Sequence, residues 1–117
     1  MKFKQGDIVI VNFPFTDLSN YKPRPAIIVS NPLINVSGDY IIVMITTQEI
    51  HGGFCVKISN SDVTVPFNPP HDKMYVYCKK IATLSESIVK KKITEIKNKE
   101  NEKNNKIQVI NVLRIID

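Results

Sequence analysis

Asp7-Ile8-Val9-Ile10-Val11-Asn12-Phe13-Pro14-Phe15, a polar run over residues 16–22, and then Pro23-Arg24-Pro25 decide the fold class of this chain. The first stretch is rich in Ile, Val and Phe, and the polar run breaks that pattern before the prolines, which reads as strand, exposed loop, strand. Two further β-branched runs, residues 26–30 and 40–47, are separated by Asn31-Pro32 and by the turn-prone Ser37-Gly38-Asp39. After Gly52-Gly53 come Phe54-Cys55-Val56-Lys57-Ile58, then Val63-Thr64-Val65, then residues 74–78, each short and bounded by Gly, Asn, Asp or Pro. That spacing predicts a mainly β protein, a small barrel or sandwich.

Phe67-Asn68-Pro69-Pro70-His71-Asp72 reads as a loop, because proline gives a ladder no amide hydrogen. Ser85-Glu86-Ser87 can cap a short helical turn ahead of a strand at residues 92–96. Residues 100–117 contain no Gly or Pro, and Ile107, Ile110 and Leu113 recur at helical spacing, with Val109, Val112 and Ile116 widening the apolar stripe. A C-terminal α-helix is the expectation there; a strand would set polar Asn111 between Val109 and Leu113.

The 117 residues suit one domain spanning 1–117, without internal repeat or linker. Hydrophobic residues make up 43% and charged residues 23%, the balance of a folded chain. Sixteen Lys and Arg against eleven Asp and Glu give a net charge of +5 and a pI of about 9.3, which suits a polyanionic partner. Lys90-Lys91-Lys92 and the lysines of residues 97–106 supply much of that charge; an ordinary solvated helix face is the simpler reading of it. Cys55 and Cys78 have neither metal-site spacing nor the density of a disulfide scaffold, and read as thiols in a reducing compartment. The chain has no apolar run near the ~20 residues that span a bilayer and its start lacks the apolar core of a signal peptide, so the expected location is the cytoplasm, with no membrane partner.

No P-loop, Gly-rich dinucleotide turn, nucleophile elbow or helical pair of metal-ligating histidines is present, so neither a metal nor a cofactor is expected. His51 and His71 have the chemistry of proton shuttles, but both sit in Gly- or Pro-containing stretches where an exposed loop histidine is the simpler reading; His51 is kept as a secondary site residue. Arg24 sits between two prolines that restrict its backbone. A guanidinium fixed there can offer a planar fork of donors to a phosphate, while the alternative is a surface arginine paired with a carboxylate. Thr46-Thr47-Gln48 closes an apolar run, bringing hydroxyl and amide groups out where a core strand meets the surface, though threonine is also simply a good β-former.

Gly6-Asp7-Ile8-Val9, Arg24-Pro25-Ala26-Ile27-Ile28-Val29-Ser30-Asn31 and Ile45-Thr46-Thr47-Gln48 together resemble the MazF/PemK toxins of type II toxin–antitoxin systems in order and spacing. Asn12-Phe13-Pro14-Phe15-Thr16-Asp17-Leu18, Lys80-Ile81-Ala82-Thr83-Leu84 and Ser87-Ile88-Val89 are similar to the PemK-like branch, which extends the likeness over nearly the whole chain. The resemblance implies a small SH3-like β-barrel of the CcdB/PemK/MazF type, with a short helix and a C-terminal α-helix, acting as a homodimer. It also implies a metal-independent, sequence-specific endoribonuclease, an mRNA interferase that cleaves single-stranded RNA, leaves a 2′,3′-cyclic phosphate and a 5′-hydroxyl, and is restrained by a cognate antitoxin.

In such a reaction the neighbouring 2′-hydroxyl attacks, so the enzyme supplies proton transfer, alignment and charge stabilisation. By motif, Arg24 matches the catalytic arginine and Thr46 the active-site threonine. The RNA-binding set implied around them comprises Gln48, Thr47, Tyr21, Lys22, Lys79 and Lys80. The Tyr21 ring is suited to stack on an unpaired base, or is an ordinary loop tyrosine. Ala82 stands where relatives carry an arginine, a departure that leaves Lys79 and Lys80 as the nearest basic groups. Two other classes share small barrels: gyrase-inhibiting toxins, and basic barrels that bind nucleic acid without cutting it.

Overall fold

Val, Ile, Tyr and Phe concentrate in the segments that become strands, where branched and aromatic side chains pack well on a pleated surface. The computed structural model describes residues 2–13, 22–48, 55–68 and 74–97, with backbone alone for Phe13 and Lys22. Six strands occur among them: β1 Asp7–Phe13, β2 Lys22–Ile28, β3 Asp39–Thr46, β4 Cys55–Ile58, β5 Met74–Ser85 and β6 Val89–Glu95. They form one antiparallel sheet in the order β4-β5-β3-β2-β1-β6.

The expected mainly β fold is what forms, but the barrel is not closed by a continuous ladder. The segment after β4 meets the end of β6 through one isolated bridge, Val63 to Ile96. Around it the Thr64 amide donates to the Glu95 carbonyl at 2.9 Å, the Lys97 amide to the Asp62 carbonyl at 2.9 Å, and the Val65 amide to Thr94 Oγ1 at 3.0 Å. The sheet is curled and stapled at this seam.

Period-two alternation divides the apolar residues between two faces. Ile8, Ile27, Val43, Ile45, Val56, Ile58 and Val76 pack with Val63 and Phe67 in one core, while Val9, Val11, Ala26, Ile28, Tyr40, Ile42 and Met44 pack with Phe3 and Val89 in the other. The Tyr40 hydroxyl accepts the Lys2 and Phe3 amides at 3.1 and 3.0 Å, and Phe3 stands edge-on to its ring. This ties the start of the described chain to β3.

Several boundaries differ from the sequence reading. β2 begins at Lys22 rather than residue 26, and β6 at Val89 rather than Lys92. β5 runs well past Cys78, because a bulge absorbs residues that break the alternation. Asn31-Pro32 opens a helical turn, α1 Pro32–Asn35, with the Asn31 side chain accepting the Leu33 amide at 3.0 Å. The capped turn at Ser85 forms as a 3₁₀ turn, Glu86–Ile88. The C-terminal helix expected over residues 100–117 lies outside the described residues, as does His71.

Candidate active site at a broken ladder

Arg24 is a strand residue, not the loop-boundary residue its flanking prolines suggested: in β2 it pairs with Val11 of β1. On this strand the odd-numbered residues turn their amides toward β3, as the bond from the Val29 amide to the Ile41 carbonyl at 2.9 Å shows. Even-numbered residues turn toward β1, where the Ile28 carbonyl accepts the Gly6 amide at 2.8 Å. Pro23 and Pro25 therefore lack donors on the β3 side alone. The pairing of β2 with β3 accordingly runs Ile28–Ile42, Ile27–Val43, Ala26–Met44 and stops there, while pairing with β1 continues to Lys22.

One further two-residue step of that register sets Arg24 across from Thr46, where the two strands are no longer laddered. Arg24 is exposed and Thr46 half-buried. The Gln48 amide donates to Thr46 Oγ1 at 3.1 Å, which fixes the hydroxyl and leaves its own hydrogen as a donor. Gln48 thus has a role through its backbone that the sequence reading did not assign. Thr47 and the Gln48 side chain are exposed beside it.

The row continues across the sheet, since directly paired residues share a face. Thr46 pairs with Tyr75, and Tyr75 pairs with Lys57. Tyr75 is buried and Lys57 exposed. Neither stands out in the sequence: alternation in Cys55-Val56-Lys57-Ile58 separates Lys57 from Ile58, but only the β4-β5-β3 register reveals which residues it joins.

Lys79 and Lys80 lie in the β5 bulge, between the pairs Val43–Ile81 and Met44–Tyr77. Burial pushes the Cys55 thiol up, and the nearby Lys79 ammonium offsets part of that rise. Cys55 pairs with Tyr77, one row from Tyr75, so Lys79 is close to this face. Ala82 pairs with Ile42, roughly 13 Å along the strand from Thr46. Lys22 contributes backbone to β2 opposite Phe13; Tyr21 and His51 lie outside the described residues. Among the described residues, no group of three or more His, Cys, Asp or Glu could hold a metal ion, and no helix is long and apolar enough to cross a membrane.

A family model for the PemK-like, MazF-like toxins of type II toxin–antitoxin systems matches residues 4–110. The chain belongs to this family. The toxin's fold is similar to that of an endoribonuclease from a mycobacterial species, solved in complex with its cognate antitoxin. That pair has a TM-score of 0.70 at 20% identity, covering 95% of this chain and 90% of the other. A second mycobacterial endoribonuclease structure gives 0.70 at 21% identity, covering 97% and 88%. The Mycobacterium tuberculosis toxin MazF-mt6 gives 0.64 at 12% identity, covering 92% and 91%. A comparison of the toxin's sequence with curated proteins gives no match.

Proposed function

We propose that this toxin is an endoribonuclease that cuts single-stranded RNA at the gap between β2 and β3, with Arg24 and Thr46 as its catalytic pair. The observation that carries the reading is the proline-broken ladder. It holds Arg24 rigidly on β1 while opening the β3 side next to a hydroxyl fixed by the Gln48 amide.

A phosphodiester seated in this gap meets two kinds of donor. As the adjacent 2′-hydroxyl attacks phosphorus, the non-bridging oxygens gain charge, and the Arg24 guanidinium offers a planar fork to them. Thr46 donates to one of these oxygens and sets the phosphate's position. As the bond from O2′ to phosphorus forms, the 2′-hydroxyl proton passes to water. As the bond from phosphorus to O5′ breaks, the departing oxygen takes a proton from water, giving a 2′,3′-cyclic phosphate and a 5′-hydroxyl. Arg24 acts here by charge stabilisation. Gln48, Thr47, Lys79 and Lys80, with Tyr21 and Lys22, make up the RNA-contacting set, and Lys57 extends it along the same row. Neither metal nor cofactor enters this scheme.

On this reading residues 1–117 act as one toxin domain, a cytoplasmic homodimer neutralised by a cognate antitoxin. Family membership and the antitoxin complex of a structural relative support those assignments. The test is incubation of a defined single-stranded RNA in excess chelator with the native chain and with Arg24→Ala. Cyclic-phosphate products from the native chain alone are expected. RNA binding with no cleavage by either protein would favour a non-cutting binder, and undiminished cleavage by Arg24→Ala would remove the arginine from the mechanism.

A further inference from the structure

A groove of about 660 Å³ lies on the opposite side of the β1–β2 edge from Arg24, between the segment after β4 and the strands β1 and β6. Its floor and one wall are apolar, from Ile10, Pro23, Val65 and Phe67; Asn68 adds an amide, and residues 90–92 of β6 line the other wall. Pro23 belongs to this groove and Arg24 to the cleavage row, and neighbours on a strand face opposite sides. The two sites therefore meet at the end of β2.

The lysine wall is built by irregular pairing. Ile10 pairs with Lys91 and Val11 with Val89, so Lys90 is an extra residue opposite that step. Val89 enters the core beside Val11, and Lys90 and Lys91 both line the groove, both exposed. Lys92 is committed elsewhere, 3.2 Å from Asp7 and 3.4 Å from Glu95. Lys90 and Lys91 take part in none of the ion pairs among the described residues.

We propose that this groove binds the sugar-phosphate backbone of single-stranded RNA beyond the scissile phosphate, with Lys90 and Lys91 on phosphates and a base against the Ile10–Pro23 floor. The proposal rests on the cleavage reading for the identity of the substrate. Cations flanking an apolar platform suit a nucleotide strand, whose charges and flat faces alternate. The Asn68 amide offers both donor and acceptor to a base edge. An acidic peptide fits less well, since β6 is an edge strand whose pairing with β1 shifts register twice, breaking the even row of amides and carbonyls that strand addition requires.

The test compares the native toxin with a Lys90→Gln/Lys91→Gln variant and its charge-preserving counterpart Lys90→Arg/Lys91→Arg, each checked for an unchanged melting temperature. Binding is measured against a long 2′-O-methyl oligoribonucleotide, which lacks the attacking hydroxyl, over a range of salt. Cleavage is measured on the shortest oligoribonucleotide still cut. The Gln variant is expected to bind the long RNA roughly 10-fold more weakly, with a log-affinity against log-salt slope flatter by about 1.4, because two phosphates are no longer neutralised. The Arg variant should bind as the native chain does, and all three should cut the short RNA alike. Equal affinity and slope for Gln and native chains would overturn the proposal. So would weakening confined to a polyglutamate peptide, which would assign the groove to an acidic protein segment. Because the binding arm needs no cleavage, failure of Arg24 as a catalytic residue would be read separately from failure of the groove.

Discussion

The two ends of the β1–β2 hairpin treat their charges in opposite ways. At the Asp7 end, a carboxylate with a 3%-exposed side chain accepts the Lys4 amide at 3.0 Å through Oδ2 and stands 3.2 Å from Lys92 Nζ through Oδ1. Glu95 joins both lysines, 3.1 Å from Lys4 and 3.4 Å from Lys92. Gly6, at φ 92, makes the turn that allows this, and its carbonyl takes the Ile96 amide at 3.0 Å. At the Arg24 end, two prolines remove the donors that would have zipped β2 to β3, and the ladder stops at Ala26–Met44 with Arg24 exposed just beyond it. At one end a buried carboxylate anchors a small ion-pair network next to the seam of the sheet; at the other an exposed cation stands beside a break in the ladder.

That contrast can be broken most sharply at Arg24. Replacement with alanine should lower RNA cleavage by about 10²–10³-fold or more, as removal of a principal oxyanion stabiliser does, with no change in the melting curve. A large loss of stability would mean that Arg24 belongs with the structural charges. Thr46→Val is expected to cost about 10- to 100-fold in single-turnover rate, the worth of one hydrogen bond to a charged group, again with the fold intact.

At the other end the expectations reverse. Asp7→Asn leaves Lys92 without its buried partner and should destabilise the chain by about 1–3 kcal/mol, read as a lower midpoint in urea, while cleavage per folded molecule stays unchanged. The pH dependence follows from the same network. The Lys4 ammonium holds the Glu95 carboxyl below its ordinary value against the effect of burial. Its contribution is present above the ordinary carboxylate value and fades as pH falls through the lowered one. Burial works against the Lys92 ammonium, yet the Asp7 carboxylate 3.2 Å away, with Glu95, raises it above its ordinary 10.5. That contribution is full below 10.5 and fades as pH rises through the raised value. Acid titration of the urea midpoint should therefore show less loss in Glu95→Gln than in the native chain.

The smallest effect concerns Cys78, whose thiol burial, with a lesser push from Cys55, raises to about 11. Because the folded state disfavours its thiolate, stability holds below the ordinary value of 9.0 and declines above it. Alkylation at neutral pH should be slow until the chain is unfolded.

Much of this is legible in the sequence, for reasons that differ by region. β-branched runs and turn residues locate most of the strands, because local alternation and turn chemistry are written in neighbouring residues. Motif singles out Arg24, Thr46 and Gln48, and the β2–β3 register, carried two residues past its last pair at Ala26–Met44, aligns the first two. What escapes depends on register. The entry of β2 at Lys22, the tyrosine and lysine of the Thr46–Tyr75–Lys57 row, and the bulge that turns Lys90 and Lys91 into one groove all arise from pairings between distant segments. The Lys90-Lys91-Lys92 run reads as a solvated face, yet its third member is a structural ion-pair residue and its first two line a groove.

The central claim, that Arg24 and Thr46 act as one unit across the broken ladder, is tested most directly by a double-mutant cycle. Single-turnover cleavage of one defined RNA would be measured for the native toxin, Arg24→Ala, Thr46→Val and the double variant, all confirmed folded. The account predicts that the double variant is little slower than Arg24→Ala alone, since a phosphate no longer held by the arginine gains little from the threonine. Independent, multiplying losses would contradict it.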